Sequence, residues 1–132
     1  MILLMYEETL LQLSKDLRFR SSEVLDDPIS ERRNPACGDE VAFAGKIGAL
    51  KFYAQGCAVC VASCTALCQE LEGCSSEKAK ERIEEAMAFF ASEEEWKGTW
   101  GHETLPALGA VRKRPMRMTC VRLAWEAVRD VL

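Results

Sequence analysis

A long apolar run is what this 132-residue sequence most plainly lacks. The opening stretch, residues 1–5, meets Glu7 and Glu8 at once, too short and too acidic for a secretory signal or a membrane span, so a cytoplasmic protein without membrane association is expected. An excess of basic residues is lacking as well: 17 Lys and Arg stand against 21 Asp and Glu, for a net charge of -4 and a pI near 5.1. A nucleic-acid binder needs the opposite balance to neutralise phosphates, so that class is set aside. Internal repeats and low-complexity tracts are also missing. With 48% hydrophobic and 29% charged residues, the composition fits one compact domain over residues 1–132.

What the chain has in unusual number is cysteine: Cys37, Cys57, Cys60, Cys64, Cys68, Cys74 and Cys120. An odd count, no export signal and a core large enough to stand without cross-links argue against a disulfide framework. Reduced thiols serving metal or sulfur chemistry are the alternative to thiols acting as small buried hydrophobes.

The hydrophobic pattern divides the chain. Tyr6, Leu10, Leu13 and Leu17 fall on one stripe of an opening helix. Residues 20–35 are rich in turn formers and charge and predict an irregular segment with at most one short strand. Val41 and Phe43, then Leu50, Phe52 and Ala54 across a turn at Gly48, alternate as a hairpin that delivers the chain to Gly56 and Cys57. Residues 57–71 suit a buried helix ended by Gly73, and Ser75 or Ser76 caps a surface helix with Ala79, Ile83, Met87 and Phe90 on its inner stripe. Residues 92–114 predict no regular structure. Past Pro115, a closing helix carries Met118, Val121, Trp125, Val128 and Leu132, with Thr119 as its expected N-cap.

Three thiols stand at element boundaries. Cys37 lies on the turn of "NPACGD", Cys57 follows a strand and begins a helix, and Cys120 follows Thr119. A thiolate at a helix N-terminus is favoured by unpaired N–H groups, which lowers the cysteine pKa to roughly 3.5–7.5. With Asp39, three thiolates and a carboxylate fill a shell suited to zinc, or offer soft ligands to iron bridged by sulfide. The pair of C-x-x-C knuckles of a zinc finger is lacking.

The blocks "NPACGD" (residues 34–39), "GCAVCVAS" (residues 56–63) and "RMTCVRLAW" (residues 117–125) resemble, in order and rough separation, the U-type iron–sulfur cluster assembly proteins: IscU, SufU and the N-terminal domain of NifU. The resemblance implies that Cys37, Asp39, Cys57 and Cys120 converge on one exposed site that holds zinc or assembles a [2Fe–2S] cluster from sulfur supplied by a cysteine desulfurase. Cys37 would take the persulfide, with Cys120 as the alternative acceptor, and iron–sulfur acceptor proteins would be the downstream partners. A carboxylate exchanges more readily than a thiolate, so Asp39 would keep the shell labile enough for hand-over.

The chain departs from the IscU branch in having Thr119 where that branch has histidine before the last cysteine; its only histidine, His102, is 18 positions before Cys120. The 63-residue interval from Cys57 to Cys120 is similar to SufU, and no chaperone-binding Leu-Pro-Pro-Val-Lys segment stands near Cys120. SufU-like members are zinc-bound sulfur acceptors, which leaves a zinc-dependent sulfurtransferase as the alternative to a scaffold or carrier, and a zinc-stabilised interaction domain as a third reading. The 20 residues from Cys37 to Cys57 predict a trimmed hairpin.

Cys64 and Cys68 lie within about 20° of Cys57 around a helix, and Cys60 about 60° to one side. Packing is their expected role, with Cys60 as a resolving or substitute thiol the sharper alternative. Cys74 and His102 are expected in loops, Glu93, Glu94 and Glu95 at a solvated helix end, and Trp96 and Trp100 in packing. Arg112, Lys113, Arg114 and Arg117 form either a solvated face or an electrostatic dock for a desulfurase, and a second functional version for Arg117 is a cation that steadies the thiolates. The expected fold is α+β: about three antiparallel strands covered on one face by helices, with the ligands at one end.

Overall fold

The computed structural model describes residues 2–132, with side chains from Tyr6 onward, so the side chains of the opening apolar run lie outside the described residues. Eight elements follow in order: α1 (Ile2–Lys15), β1 (Ser30–Arg33), β2 (Glu40–Lys46), β3 (Ala49–Gln55), α2 (Ala58–Leu71), α3 (Ser76–Phe90), α4 (Thr104–Gly109) and α5 (Pro115–Arg129). The strands form one antiparallel sheet in the order β1-β2-β3. This is the expected α+β architecture.

The sheet is built from alternation. Val41 pairs with Ala54, and Phe43 with Phe52, so one face is apolar and buried. Helix α2 packs against β3, and α5 against β1 and β2. Two residues, Ile47 and Gly48, join β2 to β3, the trimmed hairpin expected; Gly48 has φ +93°, a left-handed conformation that glycine adopts without strain. The edge strand is tied to α5 by the Ser30 hydroxyl, which donates to the Ala127 carbonyl, and by Arg32, which bridges Glu126 at 3.1 Å and Asp130 at 3.0 Å. Outside β1, the segment predicted to be irregular contributes an isolated parallel bridge from Arg20 to Phe52.

Helix α2 is the core of the molecule. Its small residues allow α1, β3 and α5 to approach it together, and Cys60, Cys64 and Ala66 are fully buried. Gly73, at φ +76°, stops it and donates its N–H to the Gly48 carbonyl at 2.8 Å, locking the hairpin turn to the helix end. Ser75 caps α3 by accepting from the Lys78 N–H, as expected.

Two expectations fail. Residues 104–109 form α4, whose Leu105 and Leu108 are fully buried one turn apart. The last helix begins at Pro115, not after Thr119. Proline at the first helical position needs no N–H partner and has the right φ already, so it outranks threonine as the start. Thr119 instead donates back to the Pro115 carbonyl at 2.9 Å. Trp96 and Trp100 do pack, in an aromatic chain running Phe89–Trp96–Trp100–Trp125–Phe90 with ring centres 5.0–6.4 Å apart.

Candidate metal centre

The turn between β1 and β2 is closed by Asn34. Its side-chain oxygen accepts from the Ala36 N–H at 3.0 Å, its carbonyl accepts from Gly38 at 2.8 Å, and its own N–H donates to the Asp39 carbonyl at 2.8 Å. Gly38 supplies the left-handed φ of +78° that the turn requires. Cys37 is thereby held exposed at the tip while Asp39 turns inward and is buried.

The other two thiols come from helices. Cys57 is the N-cap of α2, extended at φ -72° and ψ 166°, and half-buried. Its sulfur lies 3.9 Å from Asp39 Oδ2. Cys120 lies in the second turn of α5, not at its start, and is buried. Ser63 sets its position: the hydroxyl donates to the Val121 carbonyl at 2.6 Å and accepts from the Trp125 indole N–H at 3.0 Å, clamping α5 to α2.

These elements bring the four predicted residues together. The ligand atoms of Cys37, Asp39 and Cys120 all lie within 4.8 Å of one another, the one such group among the described residues. Cys57 is not in that group, but its sulfur touches Asp39, and its charge acts on the Cys120 thiol. A tetrahedral zinc shell, with Zn–S near 2.3 Å, places neighbouring sulfurs about 3.8 Å apart. The chemistry of the donor set, three thiols and a carboxylate, fits zinc or iron, and Cys37, Asp39 and Cys120 need to close by no more than about an ångström.

Electrostatics correct one expectation. Because Cys120 is inside the helix, it gains nothing from the N-terminal end, and its thiol is pushed well above the ordinary range. Burial is the main cause, followed by its hydrogen bond to Asp39 and the charge of Cys57. Metal binding there must displace a proton.

The remaining residues sort themselves. Cys60, Cys64 and Cys68 are buried, and burial raises the Cys64 and Cys68 thiols. Cys74 is half-buried, its sulfur 3.8 Å from the Glu70 carbonyl, and His102 is exposed in a turn outside the cluster. Glu93, Glu94 and Glu95 are exposed just past α3. Arg112 does not belong to a basic dock: its guanidinium donates to the carbonyls of Phe89, Ser92 and Glu94 at 2.9–3.1 Å and lies over the Phe89 ring. Lys113, Arg114 and Arg117 stay exposed. Arg114 and Arg117 line a cavity of about 340 Å³ with Tyr6, Glu7, Leu10 and Cys57. Sequence reasoning assigned no role to Ser63 or Gly56; their signals, a polar and a side-chain-free residue beside a cysteine, are visible only once the contacts are known.

The family model described as the NifU-like N terminal domain matches residues 6–131. Among curated relatives, the chain is 29% identical to an iron–sulfur cluster assembly scaffold protein IscU of Thermotoga maritima, over 98% of this chain and 93% of that one. It is 28% identical to a zinc-dependent sulfurtransferase SufU of Bacillus subtilis, over 83% and 78%. In fold it is similar to a putative iron–sulfur cluster assembly scaffold protein for the SUF system from Fervidobacterium islandicum, with TM-score 0.79, 24% identity and 96% of each chain covered. A NifU-like N-terminal protein from Brucella abortus is similar at TM-score 0.72 and 17% identity, over 96% of this chain and 91% of that one.

Proposed function

Because the chain belongs to the NifU-like N-terminal domain family, we propose that it is an iron–sulfur cluster assembly scaffold. It takes sulfur from a cysteine desulfurase and builds or transfers a [2Fe–2S] cluster on Cys37, Asp39, Cys57 and Cys120. The observation that carries this reading is the meeting of Cys37, Asp39 and Cys120 within 4.8 Å, with Cys57 against the same carboxylate. The IscU relative is named for that activity.

Roles follow from exposure. Cys37, exposed on its turn, is the sulfur acceptor; Cys120, which is buried, is the less accessible alternative. Asp39 is the exchangeable ligand, since carboxylate holds soft metals less firmly than thiolate. Zinc in the same shell would keep the thiols deprotonated and ordered until displaced. The protein would act in the cytoplasm, where thiols stay reduced, and pass its cluster to iron–sulfur acceptor proteins. Among the described residues no helix is long and apolar enough to cross a membrane.

A second reading, a zinc-dependent sulfurtransferase that holds no cluster, is favoured by Thr119. Its hydroxyl is bonded back to Pro115, so the position before Cys120 supplies neither an imidazole nor a free oxygen. The SufU relative is named for such an activity. Anaerobic reconstitution with iron, cysteine and a desulfurase separates the two. A visible absorption band that transfers to an apo-acceptor establishes the scaffold; retained zinc with desulfurase stimulation and no band establishes the transferase. Neither response defeats both.

A further inference from the structure

The candidate metal centre leaves unused a thiol three residues from Cys57. Cys60 follows Cys57 by three residues, the two standing at the N-cap and the third position of α2. The side chain of an N-cap residue lies over the third residue of its helix, the juxtaposition that capping boxes exploit. C-x-x-C at a helix start is the spacing of dithiols that open and close a disulfide. Here the N-cap side chain caps nothing: α2 has no side-chain cap bond, and the Cys57 sulfur is held at 3.9 Å from Asp39. Turning toward Cys60 therefore breaks no cap bond and gives up only the long contact with Asp39.

The pair is asymmetric in the way a resolving mechanism needs. Cys57 is half-buried and lines the open cavity, whereas Cys60 is 0% exposed and does not line it. Cys64, one turn further, is buried in the core as well. The cluster of Cys37, Asp39 and Cys120 does not include Cys60.

We infer that Cys57 and Cys60 form a built-in reducing dithiol that converts the sulfane sulfur received at the site into sulfide, an inference that rests on the sulfur-accepting reading above. A persulfide on Cys37 passes its terminal sulfur to the Cys57 thiolate, forming Cys57–S–SH and returning Cys37 as thiolate. Cys60 then attacks the Cys57 sulfur. The Cys57–Cys60 bond forms, the bond to the terminal sulfur breaks, and sulfide leaves with the Cys60 proton as HS⁻ or H₂S. Two thiols are oxidised to a disulfide while one sulfane sulfur is reduced by two electrons, the redox state a cluster needs. An external dithiol reductant reopens the disulfide for the next cycle.

The test uses the full chain, reduced, freed of metal by chelation, loaded with inorganic polysulfide and then separated from the donor by gel filtration. Sulfide release is followed without added thiol, and cysteine oxidation is mapped by alkylation and mass spectrometry. The inference expects sulfide to appear as Cys57 and Cys60 lose alkylation together with a two-hydrogen mass loss. Cys60→Ser should hold its persulfide at least about tenfold longer, while Cys64→Ala behaves as wild type. The wild-type mapping stands whether or not either variant folds. Persulfide that persists on the wild-type chain, or a disulfide elsewhere, overturns the dithiol and leaves sulfur acceptance intact. A chain that takes up no persulfide overturns both.

Discussion

The Cα of Gly56 lies directly against the carboxylate of Asp39: a Cβ there would stand 2.7 Å from Asp39 Oδ1 and Cγ, closer than real Cβ contacts come. The glycine is what lets the carboxylate fold inward to the Cys57 sulfur. Gly56→Ala should therefore displace Asp39 and weaken zinc binding about tenfold or more, roughly 1.4 kcal/mol. Competition with a chromophoric chelator measures it, with circular dichroism checking that the helices remain. Unchanged affinity would remove Asp39 from the ligand set.

Ser63 joins α2 to α5 through Val121 and Trp125, both fully buried. Ser63→Ala leaves the Trp125 indole N–H without its partner in the core, at a cost of about 1–3 kcal/mol in urea unfolding. Because the same clamp sets the position of Cys120, metal affinity should fall along with stability. A loss of stability with full metal affinity would mean that α5 keeps its place without the clamp.

The Cys120 thiol is raised by burial and by its neighbours, so in the metal-free protein it keeps its proton through neutral pH. A metal must expel that proton, and the deprotonated form is favoured as pH rises. Apparent zinc affinity should thus increase between pH 6 and 8, by about tenfold per unit for each proton released. Proton release on zinc addition, read with an indicator dye in weak buffer, should disappear in part in Cys120→Ala. An affinity independent of pH contradicts this.

The basic residues before Cys120 stand in two different settings. Arg112 ties down the carbonyls of Phe89, Ser92 and Glu94, so Arg112→Ala should cost about 1.5–3 kcal/mol and leave partner association unchanged. Arg114 and Arg117 are exposed on the rim of the cavity beside Cys57. Reversing both to Glu should slow association with a desulfurase and flatten its salt dependence, without altering the melting temperature. If Arg112→Ala alone impairs association, the dock lies elsewhere.

What could be read in advance was what has a local period or a local breaker. Val41, Phe43, Phe52 and Ala54 announced a sheet face, Gly73 a helix stop, and Ser75 a cap, because each acts within a few residues of itself. The candidate ligands Cys37, Asp39, Cys57 and Cys120 were legible as motifs, each sitting on a turn or near a helix start. Helix α4 escaped because six residues hold fewer than two turns, too short for a period, and its Leu105 and Leu108 are fixed by tertiary burial. The place of Cys120 was misjudged because Thr119 and Pro115 both read as helix starts, and the stronger signal displaced the cysteine to the second turn. Arg112 and Ser63 act on partners 18–62 residues away, a distance that no local pattern records.

The most direct measurement is X-ray absorption at the zinc edge of the zinc-loaded protein, alongside single alanine variants of the four residues. Three sulfurs near 2.3 Å and one oxygen near 2.0–2.2 Å, with one sulfur lost in each of Cys37→Ala, Cys57→Ala and Cys120→Ala, are predicted. A shell of nitrogen and oxygen alone, or one that keeps all its sulfurs in any of those three variants, would contradict the site.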